Sequence, residues 1–260
     1  MKLYNGDCNE VMEQMYSDGI KVDLTVTSPP YDNLRTYKDS LQWNEEIWKE
    51  VIENLYKITA DGGVVVWVVG DSTVKGSESG TSFKQALYFM ECGFKLHDTM
   101  IWEKPQACFG SNLCYLQAFE YMFIFSKGKI KTLNLIRDRE NVFTGKRLAT
   151  KTSAFNQDGS KSKTHIVESK KTGKRKNVWK IAIGQGRNGH PAIFPEQLAK
   201  DHIVSWSNEN DIVFDPFTGS GTTGKMAKLL KRDFIGAEKV KEYFDISVTR
   251  IKNAVLEVKE

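Results

Sequence analysis

Residues 64–69 read Val-Val-Val-Trp-Val-Val, a continuous apolar run just after the helix-breaking Asp61-Gly62-Gly63. A strand with one face in water alternates polar and apolar residues. A run without alternation suits a strand covered on both faces, as central strands of parallel sheets are. Such a sheet needs helices on both sides, and the flanking sequence supplies them. Residues 45–59 have helical spacing, with Ile47, Val51, Leu55 and Ile58 on one face. Residues 22–27 read as a buried strand, 82–92 as a helix, and 94–102 and 119–126 as further strands. Towards the C-terminus come a helix from Pro195 to Ser205, with Pro195 in its first turn, and a strand from Asp211 to Asp215. A helix over 222–231, a short strand from Phe234 to Ala237 and an amphipathic helix over 240–257 follow. This alternation predicts an α/β fold, a parallel sheet with helices on both faces. A length of 260 residues suits one large domain with an insertion.

The pattern dissolves between about 129 and 180, where Lys, Ser, Thr and Gly dominate. A functionless loop of that length inside a compact domain would be unusual. The net charge of +4 hides an asymmetry: residues 127–180 hold sixteen Lys or Arg against four Asp or Glu, a net +12, leaving −8 on the rest. A basic block on an acidic body suits a local contact with a polyanion, and equally a solvated loop that binds nothing.

No apolar run approaches the roughly 18–20 residues needed to span a bilayer. The start, Met1-Lys2-Leu3-Tyr4-Asn5-Gly6-Asp7, has no apolar signal core, so the expected location is cytoplasmic, with no membrane partner. Cys8, Cys92, Cys108 and Cys114 form no C-x-x-C pair and no His stands at ligand spacing, so free thiols are expected and no metal site.

A glycine-rich turn follows the strand at 211–215. Gly219, Gly221 and Gly224 fit G-x-G-x-x-G, with Glu238 placed 19 residues after Gly219. The stretch from Gly219 to Lys225 also fits G-x-x-x-x-G-K. Glycines let the backbone turn tightly, and a helix N-terminus presents free N–H groups. The two ligand classes differ in what else they need. A P-loop needs Ser or Thr after the Lys to hold magnesium, and Met226 stands there instead. Asp215 at the strand end would repel a pyrophosphate but suits a ligand with an ammonium, such as S-adenosylmethionine. The turn alone leaves that donor, a dinucleotide, a nucleoside triphosphate and a purely structural turn open.

Thr27-Ser28-Pro29-Pro30-Tyr31 follows the strand at 22–27. Two prolines stiffen the backbone and remove two donors, so their carbonyls remain as acceptors. With the Ser28 hydroxyl and the Tyr31 ring, they suit an extruded base: acceptors for its amino hydrogens, an aromatic face for stacking. A plain Pro-Pro turn after a strand is the simpler alternative.

Together the two motifs resemble the amino-group DNA methyltransferases that use S-adenosylmethionine. Asp215-Pro216-Phe217-Thr218-Gly219-Ser220-Gly221-Thr222-Thr223 is similar to that family's cofactor loop, and Ser28-Pro29-Pro30-Tyr31 to its catalytic tetrapeptide. The catalytic motif comes first and the basic segment lies between, an order like that of the family's beta class. The resemblance therefore implies a Rossmann-like class I methyltransferase sheet, circularly permuted, with an inserted basic target-recognition region. It implies a catalytic half over 1–128, a target-recognition insertion over 129–180 and a cofactor half over 181–260. It places Asp7 near the cofactor adenine, His190, Ala192 and Phe194 at the methionine end, and Glu238 on the ribose hydroxyls. Asp215, Phe217, Gly219, Ser220, Gly221, Thr222 and Thr223 complete the implied cofactor set. Glu120 to Phe125 resembles the strand flanking the base pocket.

The resemblance implies double-stranded DNA as partner and leaves room for a cognate restriction endonuclease and a homodimer. Lys161, Lys163, Lys170, Lys171, Lys174, Arg175 and Lys176 are the candidate phosphate contacts. The Ser form of the tetrapeptide goes more often with cytosine N4 and the Asp form with adenine N6, so cytosine is expected and adenine is the alternative. Cytosine C5 chemistry needs a cysteine nucleophile after proline, and no cysteine here follows one.

Overall fold

The computed structural model describes residues 1–30, 43–105, 115–142, 145, 147–150, 160, 165–168, 170–183 and 194–255. The strands are β1 (Lys2–Asn5), β2 (Val22–Thr27), β3 (Thr59–Val69), β4 (Thr73–Val74), β5 (Ser77–Glu78), β6 (Lys95–Glu103) and β7 (Phe119–Ser126). They continue with β8 (Arg139–Glu140), β9 (Arg147–Thr150), β10 (His165–Glu168), β11 (Thr172–Gly173), β12 (Val178–Lys180), β13 (Ile212–Asp215) and β14 (Asp233–Glu238). The helices are α1 (Cys8–Ser17), α2 (Glu45–Ile58), α3 (Thr81–Glu91), α4 (Glu196–Trp206), α5 (Thr222–Leu229) and α6 (Lys241–Lys252).

Two compact units divide the chain: Met1–Asn134 with Asn177–Glu260, and Leu135–Lys176. The larger holds an eight-stranded sheet in the order β1-β14-β13-β2-β3-β7-β6-β12. The smaller holds the pairs β8–β11 and β9–β10, both antiparallel. Its bounds are tighter than the 129–180 read from composition. Residues 178–180 are the edge strand β12, parallel to β6, with Trp179 buried and the Trp102 Nε1 donating to the Ile181 carbonyl at 2.8 Å.

The sheet is mixed, where the sequence predicts a parallel one. β7 runs antiparallel to both β3 and β6. A parallel connection needs a long crossover, usually a helix. Here β7 lies directly beside β6, the strand before it in the chain, and pairs with it antiparallel. The second difference is at Asp61-Gly62-Gly63, which lies inside β3 rather than ending α2. The helix ends at Ile58 because Thr59 turns extended and pairs with Val22, its hydroxyl donating back to the Leu55 carbonyl at 2.6 Å. Pro195 is the N-cap of α4, one position before its first turn.

α1, α2 and α3 bury Met12, Met15, Val51, Ile52, Leu55 and Phe89 against Trp67 and Phe125 on one face of the sheet. α4, α5 and α6 cover the other face, where Ile251 meets Phe234 across Gly224. Asp7 caps α1 by accepting from Asn9 N at 2.9 Å, and Asn44 caps α2 through Ile47 N at 3.0 Å. Among the described residues no helix is long and apolar enough to cross a membrane.

Candidate active site at the carboxyl edge of the sheet

β1, β14, β13, β2 and β3 are parallel neighbours, so their C-terminal ends share one edge. Ligands of open α/β sheets bind at that edge. Asn5 to Asp7, Ser28 to Pro30, Asp215 to Gly221 and Glu238 all gather there. β2 and β13 lie side by side, with Leu24 opposite Val213 and Thr25 opposite Phe214. The proline motif and the glycine turn therefore leave adjacent strands.

A hydrogen bond joins them. Thr27 Oγ1 donates to Asp215 Oδ1 at 2.7 Å, across 188 residues of sequence, and both groups are buried. Phe217 N donates to the same oxygen at 3.1 Å, and the Thr223 hydroxyl also bonds the carboxylate. Thr223 Oγ1 also lies 3.3 Å from the Val26 carbonyl, a second tie between the turn and β2. Burial pushes the Asp215 carboxyl up to about 6, against the pull of its hydrogen-bond donors. Its side chain thus bridges the proline motif and the glycine turn.

Glu238, at the end of β14, accepts from Gly219 N at 2.8 Å with one oxygen and from Val240 N at 2.9 Å with the other. Burial raises this carboxyl too. The Lys239 backbone N–H adds a third bond; a carboxylate offers about four acceptor positions, so capacity remains for a hydroxyl donor. Asp7 Oδ2 lies 3.1 Å from Lys239 Nζ. Phe217 is half-buried and sits edge-on to Trp43 and Trp67, with ring centroids at 5.4 and 6.4 Å.

The turn itself needs glycine at two places for different reasons. Gly219 has φ +51° and Gly221 φ +83°, the left-handed region where a side chain is strained. A Cβ on Gly221 would also stand 3.0 Å from the Ser247 backbone, so α6 packs directly on the turn. The hydroxyls of Ser220 and Thr222 accept from Arg250 Nη1 at 2.9 and 3.0 Å. That leaves backbone N–H groups at the start of α5 as the turn's outward donors. Lys225 is not poised for a phosphate: its Nζ pairs with Glu196 at 2.7 Å. Three buried or half-buried carboxylates and a committed lysine make a poor phosphate cradle. They suit a ligand with hydroxyls and positive charge, which S-adenosylmethionine is.

A family model described as DNA methylase, for N6 and N4 methyltransferases, matches residues 22–249. The chain belongs to this DNA methylase family. Its members are S-adenosylmethionine-dependent, and this DNA methylase acts on DNA. The orphan methyltransferase M.BamHII of Bacillus amyloliquefaciens is 54% identical over 98% of this chain and 94% of its own length. The M1.HpyAVI–SAM complex has a TM-score of 0.61 at 24% identity, covering 96% of this chain and 98% of that one. The cytosine-N4-specific PvuII DNA methyltransferase has a TM-score of 0.65 at 21% identity, covering 95% and 85%. The fold is that of the class I methyltransferases, and the order of the two motifs makes it the permuted form.

The edge thus brings together Asp7, Ser28, Pro29, Pro30, Asp215, Phe217, Gly219, Ser220, Gly221, Thr222, Thr223 and Glu238. Phe194 is half-buried just before α4. Tyr31, His190, Ala192, Lys161 and Lys163, with Cys108 and Cys114, lie outside the described residues. In the smaller unit Lys170, Lys171, Lys174 and Lys176 are exposed. Arg175 differs: its guanidinium pairs with Asp138, Nε lying 2.9 Å from Oδ2. Cys8 is buried, which pushes its thiol up to about 12, beyond nucleophilic use at neutral pH. Two contributors escaped the sequence reading. Thr27 was visible in its motif but looked like strand. Arg250 carried no signal at all, being one of 37 Lys and Arg residues and part of an amphipathic helix.

Proposed function

We propose that this chain is a sequence-specific DNA methyltransferase acting on N4 of cytosine. The observation that supports it is the 2.7 Å bond from Thr27 to Asp215, which ties the proline motif to the glycine turn. When bound, S-adenosylmethionine supplies an electrophilic methyl group on a sulfonium. The residues of the chain bind and orient. Glu238 takes the ribose hydroxyls, and the α5 N-terminus and Phe217 border the donor. Ser28 and the Pro29 carbonyl accept from the amino hydrogens of an extruded base, which turns the nitrogen lone pair towards the methyl group. Tyr31 stacks on the base. This is positioning and electrostatics, without a covalent enzyme intermediate. Flipping costs a few kcal/mol, offset by stacking and these hydrogen bonds.

Residues 1–134 and 177–260 serve as catalytic and cofactor halves, and 135–176 as the target-recognition region. Lys170, Lys171, Lys174 and Lys176 contact phosphates, joined by Lys161 and Lys163; Arg175 chiefly holds the small unit's shape through Asp138. Neither a homodimer nor a cognate endonuclease is required for this chemistry, and M.BamHII is itself an orphan methyltransferase.

The Ser form of the tetrapeptide, which by resemblance goes more often with cytosine, favours cytosine over adenine. Methylated DNA digested to nucleosides identifies the base: N4-methylcytosine is expected. N6-methyladenine would move the assignment to the alternative target, and no methylated nucleoside would overturn the activity.

A further inference from the structure

Behind the glycine turn lies a second set of charges, of which only Lys225 stood in a sequence motif. Arg250, on α6, is mostly buried, its side chain 17% exposed. Its Nη1 donates to the Ser220 carbonyl at 3.2 Å, to Ser220 Oγ at 2.9 Å and to Thr222 Oγ1 at 3.0 Å. Its Nη2 donates to Glu196 Oε1 at 2.7 Å. Lys225, on α5, donates to the same Glu196 oxygen at 2.7 Å. Burial alone would raise the Glu196 carboxyl, but these two cations hold it below its ordinary value.

The placement of these groups matters more than their number. Ser220 and Thr222 flank Gly221 in the turn. Glu196 opens α4, immediately after Phe194 and Pro195. Arg250 thus grips the turn with one nitrogen and the start of α4 with the other. A fork of fixed donors suits such a double contact, which a lysine could not reproduce.

We propose that Arg250 is a positioning residue for the methyl donor, acting with Glu196 and Lys225. It holds the glycine turn and the entry to α4 in one arrangement, so both borders of the donor pocket are preformed before binding. This rests on the reading that the turn binds S-adenosylmethionine. Without Arg250 the turn must be ordered at the moment of binding, and affinity falls by that cost.

The test is titration calorimetry of S-adenosylmethionine on the full chain, paired with steady-state kinetics. Arg250→Met should raise Kd about tenfold, with Arg250→Lys and Glu196→Gln about threefold each. The loss should appear in KM for the donor and not in kcat, a split that general destabilisation would not give. If Arg250→Met fails to fold, the two milder variants decide. Wild-type affinity in both overturns the proposal. If the wild-type chain binds no donor, the cofactor reading falls, and this inference with it; a normal wild-type Kd with insensitive variants sinks this inference alone.

Discussion

Thr27→Val removes one hydroxyl and keeps the shape of a β-branched residue in β2. The hydroxyl donates at 2.7 Å to a buried carboxylate. Hydrogen bonds to charged groups contribute about 1.5–3 kcal/mol. That range bounds the cost of realigning the proline motif with the glycine turn. At 1.36 kcal/mol per decade, kcat/KM should fall by about ten- to a hundredfold. The same change removes one of the donors that hold the Asp215 carboxyl down, so it should titrate above about 6. Asp215→Asn separates a bridge from a direct ligand contact. The amide oxygen can still accept from Thr27 and Phe217 N, so the bridge survives uncharged. Donor KM in Asp215→Asn should then stay within a few fold of wild type. A carboxylate paired with the donor's ammonium would instead lose that pairing, and KM would rise steeply. Transfer of labelled methyl groups to plasmid DNA, with donor varied, measures all of this. Thr27→Val within twofold of wild type would refute the coupling, and a far larger KM effect in Asp215→Asn than in Thr27→Val would refute the bridge.

Raising Asp215 from 3.8 to about 6 means the folded chain binds that proton more tightly than the unfolded chain does. Its contribution to stability is full below pH ~4 and lost as pH rises through about 6, a span of about 3 kcal/mol at most. Urea unfolding of the unliganded chain should therefore show Asp215→Asn gaining on wild type between pH 4 and 7, and a constant difference would contradict the burial of the charge. Tyr31→Phe should keep much of the activity and Tyr31→Ala lose most of it; equal losses in single-turnover assays would remove the stacking role. Replacing Lys170, Lys171, Lys174 and Lys176 by Ala should weaken DNA binding and flatten its dependence on salt by about four contacts' worth, at a slope near 0.9 per phosphate. An unchanged slope in fluorescence anisotropy would take the small unit out of phosphate contact.

Much of the sheet was legible because its strands and helices obey local rules. Val64 to Val69 is apolar on both faces, and Ile47, Val51, Leu55 and Ile58 share one side of α2. The misreadings have physical causes. The reversed direction of β7 is a matter of how the chain joins β6 to β7, which periodicity inside either strand does not encode. β12 has three residues and pairs only by reaching β6 from across the chain. Asp61-Gly62-Gly63 looked like a helix stop, yet Gly62 at φ +78° lets the strand pass close under Lys129 and Lys131. The motifs showed which residues would meet at the edge, but not which way each would turn. Asp215 and the hydroxyls of Ser220, Thr222 and Thr223 bond inward, because a buried polar group must find a partner wherever the packing supplies one.

That inward turn explains how one glycine pattern can serve different ligands. The N–H groups of such a turn would attract any anion. Here Glu238 already occupies Gly219 N, Glu196 pairs with Lys225, and Asp215 lies beneath the turn. Adding a phosphate would place its charges beside carboxylates that burial has already made costly to ionise. A sulfonium ligand reverses the sign of that interaction. Lys225 and Arg250 share the single Glu196 carboxylate, one negative charge against two positive, while Asp215 and Glu238 stand nearest the glycines themselves. The selectivity of the turn therefore resides in the acids around the glycines, and neutralising Glu238 as Gln should narrow the preference for the methyl donor over a nucleoside phosphate.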